Sequence, residues 1–277
     1  QALQRVKRLF DARKAGHTGS LDPLATGLLP ICFGHATKIS TYLLDADKRY
    51  EVDAAFGAQT DTGDADGAVI KTCEPALSRD ALEAALPSFH GPVDQVPPMY
   101  SALKHQGRRL YELAREGVSV ERPARRITIH SLTCEGVDGH KATLTVQCSK
   151  GTYVRTLVED VAASMGSLAH VARLRRTGVG PFTGKTMWTL EALTERAEAA
   201  GIPGLDELLL PVDAALEAWP SVSLTADAAH FFANGQPVQA PGAPADVLIR
   251  TYGGSGQFLG IGQVTGDGRL GPKRLFR

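Results

Sequence analysis

The sequence predicts an α/β (α+β) fold: a mixed, largely antiparallel sheet flanked by helices, with a small β-barrel at the C-terminal end. Three observations predict it. Through residues 1–180, stretches with the two-residue period of a strand interleave with stretches of helical period. Hairpin turns join many of them where regular βαβ crossovers would demand longer connections, which favours antiparallel pairing. After Trp219-Pro220 the composition shifts to ten glycines and short runs such as Val247-Leu248-Ile249-Arg250 and Phe258-Leu259-Gly260-Ile261, a barrel-like pattern. The expected domains are therefore residues 1–217 and 218–277, and 277 residues suffice for one large domain and one small one.

Taken in order, Leu3, Val6 and Phe10 at helical spacing predict an opening helix that ends near Ala15-Gly16. A glycine-rich loop follows, then the apolar run Leu28-Leu29-Pro30-Ile31-Cys32-Phe33, which reads as a buried strand. Residues 36–44 are amphipathic, 50–56 alternate as a strand, and 57–67 form an Asp-rich polar loop. Residues 78–86 read as a short helix, 95–98 as an extended linker, and 107–115 as a basic helix with Leu110 and Leu113 or Ala114 inward. The clearest hairpin spans residues 126–147, turning at Asp138-Gly139. Residues 156–165 read as a helix stopped by Gly166, and 169–179 as a strand bearing Arg173, Arg175 and Arg176. Residues 190–216 form an acidic helical region.

Composition excludes several classes. A hydrophobic content of 43% and a charged content of 22% are those of an ordinary globular protein. No apolar stretch approaches the roughly 18 residues that span a bilayer, so no membrane partner is expected. Cys32, Cys73, Cys134 and Cys148 form no CxxC pair, which fits reduced thiols in a cytoplasmic protein. The eight histidines show no HExxH-like spacing, and no metal is expected. Net charge is zero, yet residues 104–126 carry seven Lys/Arg against three acids, whereas 191–217 carry one against seven. Such segregation can give a neutral protein a basic face for a phosphate backbone, although solvated helix faces carry similar runs.

The most informative segment is Gly16-His17-Thr18-Gly19-Ser20-Leu21-Asp22-Pro23-Leu24-Ala25-Thr26-Gly27. Pro23 cannot donate a backbone hydrogen bond and keeps Asp22 out of helical geometry, so the carboxylate projects from a stiff turn. A lone Asp-Pro is ordinarily a solvated turn. Here the apolar run behind it anchors the carboxylate at the edge of a core, which makes it a catalytic candidate.

This segment resembles the catalytic motif of the TruB-type tRNA pseudouridine-55 synthases. The resemblance continues through Asp47-Lys48-Arg49-Tyr50, Gln59-Thr60-Asp61-Thr62-Gly63-Asp64-Ala65-Asp66-Gly67, Pro97-Pro98-Met99-Tyr100-Ser101-Ala102-Leu103-Lys104 and Cys148-Ser149-Lys150-Gly151-Thr152-Tyr153-Val154-Arg155-Thr156. Five blocks in the family's order are highly specific. Residues 218–277, with Phe232-Ala233-Asn234-Gly235-Gln236-Pro237-Val238, resemble the PUA RNA-binding module. Because the sequence opens inside the first helix, its natural start, which in the family carries a strand and a lysine-proline segment, is expected to be missing from it.

The resemblance implies the pseudouridine synthase fold and an isomerase that acts on uridine 55 in the T-loop of tRNA. It implies base flipping and no cofactor, with the T-arm stem-loop as partner of a monomeric protein. Asp22 matches the catalytic aspartate, whose carboxylate could attack the sugar or the base covalently or assist loss of a proton. Arg155 matches the arginine that pairs with it, and Tyr50 the active-site tyrosine that lies against uracil and takes up a proton late in the reaction. Tyr153 and Leu174 match residues lining the base pocket, although each alone reads as core. His17 matches the residue that holds the opened loop once the base has flipped. The cations of residues 104–126 and of Arg173–Arg176 would contact phosphates. Two other readings are an RNA-binding or tRNA-folding protein whose chemistry is dispensable, and an Asp-dependent hydrolase. The hydrolase would need a second poised acid or a water-activating metal, and no motif supplies either.

Overall fold

A computed structural model describes residues 2–184 and 187–276. The first elements are α1 (Ala2–Leu9), β1 (Ala15–His17), β2 (Thr26–Gly27), β3 (Ile31–Phe33), α2 (Ser40–Asp45) and β4 (Lys48–Phe56). Next come β5 (Ala58–Thr60), β6 (Val69–Thr72), α3 (Arg79–Ala85), β7 (Gly91–Gln95), β8 (Lys104–His105), β9 (Arg108–Arg109) and α4 (Leu110–Arg115). The long hairpin β10 (Arg125–Asp138) and β11 (Lys141–Cys148) leads to α5 (Val154–Ser164), β12 (Ala169–Val179) and β13 (Phe182–Thr183). The chain ends with α6 (Leu190–Asp206), β14 (Ser221–Ser223), α7 (Ala226–Ala233), β15 (Ile249–Tyr252), β16 (Phe258–Val264) and β17 (Leu270–Leu275).

These elements form two compact units, one of residues 19–29 and 44–187, the other of residues 1–18, 30–43 and 188–277. The first holds a sheet of order β13-β12-β4-β11-β10-β7, antiparallel throughout, to which β2 adds in parallel beside β12. Strict alternation builds its core: in β11 every second residue, Ala142, Leu144, Val146 and Cys148, is at most 1% exposed. Val154, Leu157, Val158 and Val161 recur on one face of α5 at helical spacing and cover that apolar surface. Gly166, with φ +71°, sits just past the end of that helix in a conformation suited to glycine.

In the second unit, β14-β15-β16-β17 form a four-stranded sheet over which Phe232 of α7 packs with Ile249 and Leu270. Where the sequence suggests a small barrel, the structure has this sheet and its covering helix. A further cluster joins Ile39 and Leu216 to Ile261. Residues on either side of position 217 thus share one cluster.

Several elements differ from the sequence expectation for local reasons. Helix α1 stops at Leu9 because Asp11 turns into the left-handed region (φ +43°), where the Ala12 N–H reaches the Lys7 carbonyl. The run 28–33 is a strand only at Ile31–Phe33. Residues 57–67 are no simple loop: β5 pairs with β6, and Asp64 is 3% exposed. Gln95 belongs to β7, and the basic helix is confined to α4, preceded by the β8–β9 hairpin. The acidic region kinks at Gly201 (φ +61°) and yields α6 and then a short 3-10 turn at Val212–Leu216.

Candidate active site

Asp22 opens a turn closed by the Ala25 N–H donating to its carbonyl at 2.9 Å, with Pro23 at the position where proline's fixed φ suits the bend. The chain then enters β2, where Gly27 crosses the backbone of Arg176. A Cβ on Gly27 would lie 2.2 Å from the Arg176 carbonyl oxygen, and its φ of +100° disfavours any side chain. The Leu28 N–H donates to that same carbonyl at 2.7 Å. The loop bearing Asp22 is therefore laid directly on β12.

Arg155 reaches the carboxylate from the first turn of α5. Its Nε lies 2.9 Å from Asp22 Oδ2, with the arginine side chain 4% and the aspartate 35% exposed. The rest of the guanidinium is held on three sides: Nη1 donates to the Thr62 carbonyl at 2.6 Å and stands 3.4 Å from Asp64 Oδ2, while Nη2 donates to the Tyr100 carbonyl at 2.8 Å. Asp64 is fixed in turn, since its Oδ1 accepts from Thr62 Oγ1 at 2.5 Å and from the Asp66 N–H at 3.2 Å. One buried cation thus serves two carboxylates, only one of which opens to solvent. Burial lifts the Asp22 carboxyl above its ordinary value, Arg155 pulls it down, and the negative charge of Asp64 pushes it up.

Gln95 sets the start of α5. Its Oε1 accepts from the Tyr153 N–H at 2.8 Å and its Nε2 donates to the Tyr153 carbonyl at 3.1 Å, so a 3% exposed amide grips the residue just ahead of the helix. Tyr153 is half-buried there, and burial raises its phenol. Tyr50 stands on β4 opposite Arg176 of β12, and burial pushes its phenol up to about 12. Leu174 is 4% exposed within the core of the same sheet. Asp22, Tyr50, Tyr153, Arg155 and Leu174 share one compact unit, while His17 lies in the other, exposed at the end of β1 opposite Ile31.

The basic strand is corrected at one position: Arg176 is 2% exposed and so not available to a phosphate, while Arg173 stays exposed in ion pairs with Glu51 and Asp53. Sequence reasoning gave no role to Asp64 or Gln95, and it set Arg176 among the phosphate contacts. Among the described residues no group of three or more His, Cys, Asp or Glu could hold a metal ion, and no helix is long and apolar enough to cross a membrane.

Comparison with known proteins agrees along the whole chain. Residues 7–154 match the family described as TruB family pseudouridylate synthase (N-terminal domain). Residues 155–217 match the tRNA pseudouridylate synthase B C-terminal domain, and residues 220–276 match pseudouridine synthase II TruB, C-terminal. The tRNA pseudouridine synthase B of Pseudomonas paraeruginosa is 55% identical over 278 residues, covering 100% of this chain and 91% of that protein. That of Stutzerimonas stutzeri is 53% identical over 276 residues, covering 100% of this chain and 90% of its own length. Among solved structures, a chain of a Cbf5-Nop10-Gar1 complex superposes with a TM-score of 0.73 at 23% identity, over 95% of this chain and 74% of that one. A chain of an H/ACA RNP bound to a substrate RNA containing 2'-deoxyuridine gives 0.74 at 20% identity, over 100% and 80%. Those two likenesses establish the fold alone. With family matches covering nearly every residue and relatives above half identity over the full chain, the protein belongs to the TruB family of pseudouridylate synthases.

Proposed function

We propose that this protein isomerises uridine to pseudouridine at position 55 in the T-loop of tRNA, with Asp22 as the catalytic carboxylate. The observation that carries the reading is the ion pair of Asp22 with a buried Arg155 whose two Nη groups are held by backbone carbonyls, in a chain of this family. In the reaction the uracil N1–C1′ bond breaks, the base turns, and a C5–C1′ bond forms. N1 gains a proton and C5 loses one, so the nucleoside keeps its formula and needs no oxidant, water or transferred group. For that reason we assign no cofactor and no metal.

Arg155 aims the carboxylate and favours its charged form against the cost of burial. Tyr50, at about 12, is a neutral phenol near pH 7. It lies against the uracil ring, and it can receive the C5 proton only in concert with releasing its own. Tyr153 and Leu174 line the pocket for the base. A stacked uridine cannot reach Asp22, so it must be flipped out, and His17 holds the opened loop. The exposed cations Lys104, Arg109, Arg115 and Arg125 meet the backbone of the T-arm. Residues 218–277 act as a PUA-like RNA-binding module on a monomeric, cytoplasmic protein.

The test is to incubate the protein with an unmodified T-arm stem-loop and map pseudouridine one nucleotide at a time. A single modified uridine at position 55 supports the reading; none, or scattered modification, contradicts it. A tRNA-folding role independent of chemistry separates on Asp22→Asn, which would leave folding intact while abolishing modification.

A further inference from the structure

A buried charge normally has a partner of opposite sign, because an unpaired one costs several kcal/mol of lost hydration. Arg176 is 2% exposed, yet among the described residues no carboxylate lies within 4 Å of its guanidinium. Its partners are neutral: Nε donates to the Leu28 carbonyl at 2.7 Å, Nη1 to that of Ser20 at 3.3 Å and Nη2 to that of Gly19 at 3.4 Å, and the Tyr50 hydroxyl also takes a hydrogen bond from the guanidinium. The placement of those acceptors is informative. Gly19 and Ser20 precede Asp22, and Leu28 follows it, so one side chain gathers both ends of the loop whose apex carries the carboxylate.

Carbonyl dipoles engage each guanidinium nitrogen but do not neutralise the charge. That charge acts on Asp22 at the apex of the gathered loop, where, after burial, Arg155 and Asp64, Arg176 adds a smaller pull toward the ionised form. We propose that Arg176 is a positioning residue for the reaction assigned above, cinching the Asp22 loop at both ends and supplying a second positive charge that offsets the carboxylate's burial. The inference rests on that functional reading only for its kinetic consequences. The groups facing Asp22 are Arg155 and Tyr153 at the start of α5, Asp64 from the β5–β6 connection, Tyr50 on β4 and Arg176 on β12. Of these, Arg155 and Arg176 are the cations.

The fork geometry and the charge can be separated. Arg176→Lys keeps the charge, but its compact ammonium cannot bridge acceptors on both sides of the loop. Arg176→Met removes both. The first readout needs no activity: titration of the Asp22 carboxyl carbon by NMR in the full chain without RNA. Arg176→Met should titrate at a higher pH than wild type, and Arg176→Lys close to wild type. In turnover on the T-arm stem-loop, both variants should lose at least tenfold in kcat while binding RNA within about twofold of wild type, and only Arg176→Met should show its acid limb displaced upward. An unmoved Asp22 titration in Arg176→Met overturns the electrostatic role, and wild-type kcat in Arg176→Lys overturns the two-ended tether. If Arg176→Met does not fold, Arg176→Lys decides alone: reduced kcat with an unshifted Asp22 titration supports the proposal, and wild-type kcat or an upward shift overturns it. A wild-type protein that forms no pseudouridine would instead defeat the functional reading and leave the titration result standing.

Discussion

Replacing Gln95 with methionine tests whether the end of β7 positions the site. The side chain is 3% exposed and makes two hydrogen bonds to Tyr153, at 2.8 and 3.1 Å. Their losses are unequal. The Tyr153 carbonyl keeps another donor, the Leu157 N–H at 3.0 Å, so on that side only one neutral bond disappears, about 0.5–1.5 kcal/mol. The Tyr153 N–H loses its recorded partner, and an orphaned buried donor costs about 1–3 kcal/mol. Methionine has nearly the volume of glutamine, so little is added for a cavity. The sum is about 3 kcal/mol, or roughly 6–12 °C in melting temperature for a domain of this size. Tyr153 immediately precedes the helix that carries Arg155. A displacement of about 1 Å at that point can cost as much as 100-fold in turnover. Thermal melts followed by circular dichroism, with turnover on the stem-loop well below the transition, measure both. A variant melting within about 1 °C of wild type, at full turnover, would refute the reasoning.

Other expectations follow from the same geometry. Because Asp22 is held above its ordinary value of about 3.9, the acid limb of turnover should lie above that value, and Asp64→Asn should move it down by removing a negative neighbour. The folded state binds the Asp22 proton more tightly than the unfolded chain. This group therefore makes stability fall as pH rises through the window from about 3.9 to its folded value, a slope that Asp22→Asn should abolish in denaturant titrations. Lys273 and Arg274 are exposed and line one cleft with Lys38. Reversing the charge of both should weaken tRNA binding and flatten its salt dependence while sparing turnover at saturating tRNA, whereas unchanged binding would remove this face from the RNA contact. Such surface changes serve better than truncation at residue 218, which would strip Ile261 from its cluster with Ile39 and Leu216.

Elements with a long, regular period were legible in the sequence. Strand β12 begins and ends at Ala169 and Val179, where alternation stops, and the β10–β11 hairpin turns next to Gly139. Asp22 was legible too, because a proline and local glycines announce a stiff turn without knowledge of the fold. Asp64 was not: in the chain it is one of several acids in a polar stretch, and it is buried beside Arg155 only because its backbone bridges to Val171 of β12, over 100 residues away. Gln95 was hidden for the same reason, since its partner lies 58 residues away. Arg176 was misread although a signal existed. In an alternating strand Arg176 shares a face with Leu174, and that face is the buried one. Arginine's usual exposure outweighed the period. The lesson is physical: a charged residue in phase with core positions calls for a buried acceptor set, which here is the loop around Asp22.

The most direct measurement of the central claim compares Asp22→Asn with wild type on unmodified tRNA, scoring pseudouridine and binding in the same preparation. Asparagine keeps the shape of the turn and removes the charge, so tRNA affinity should stay within about twofold while turnover falls by at least about 1000-fold, a barrier increase near 4 kcal/mol. Pseudouridine formed by the variant at a rate near wild type would show that the carboxylate is not the catalytic group.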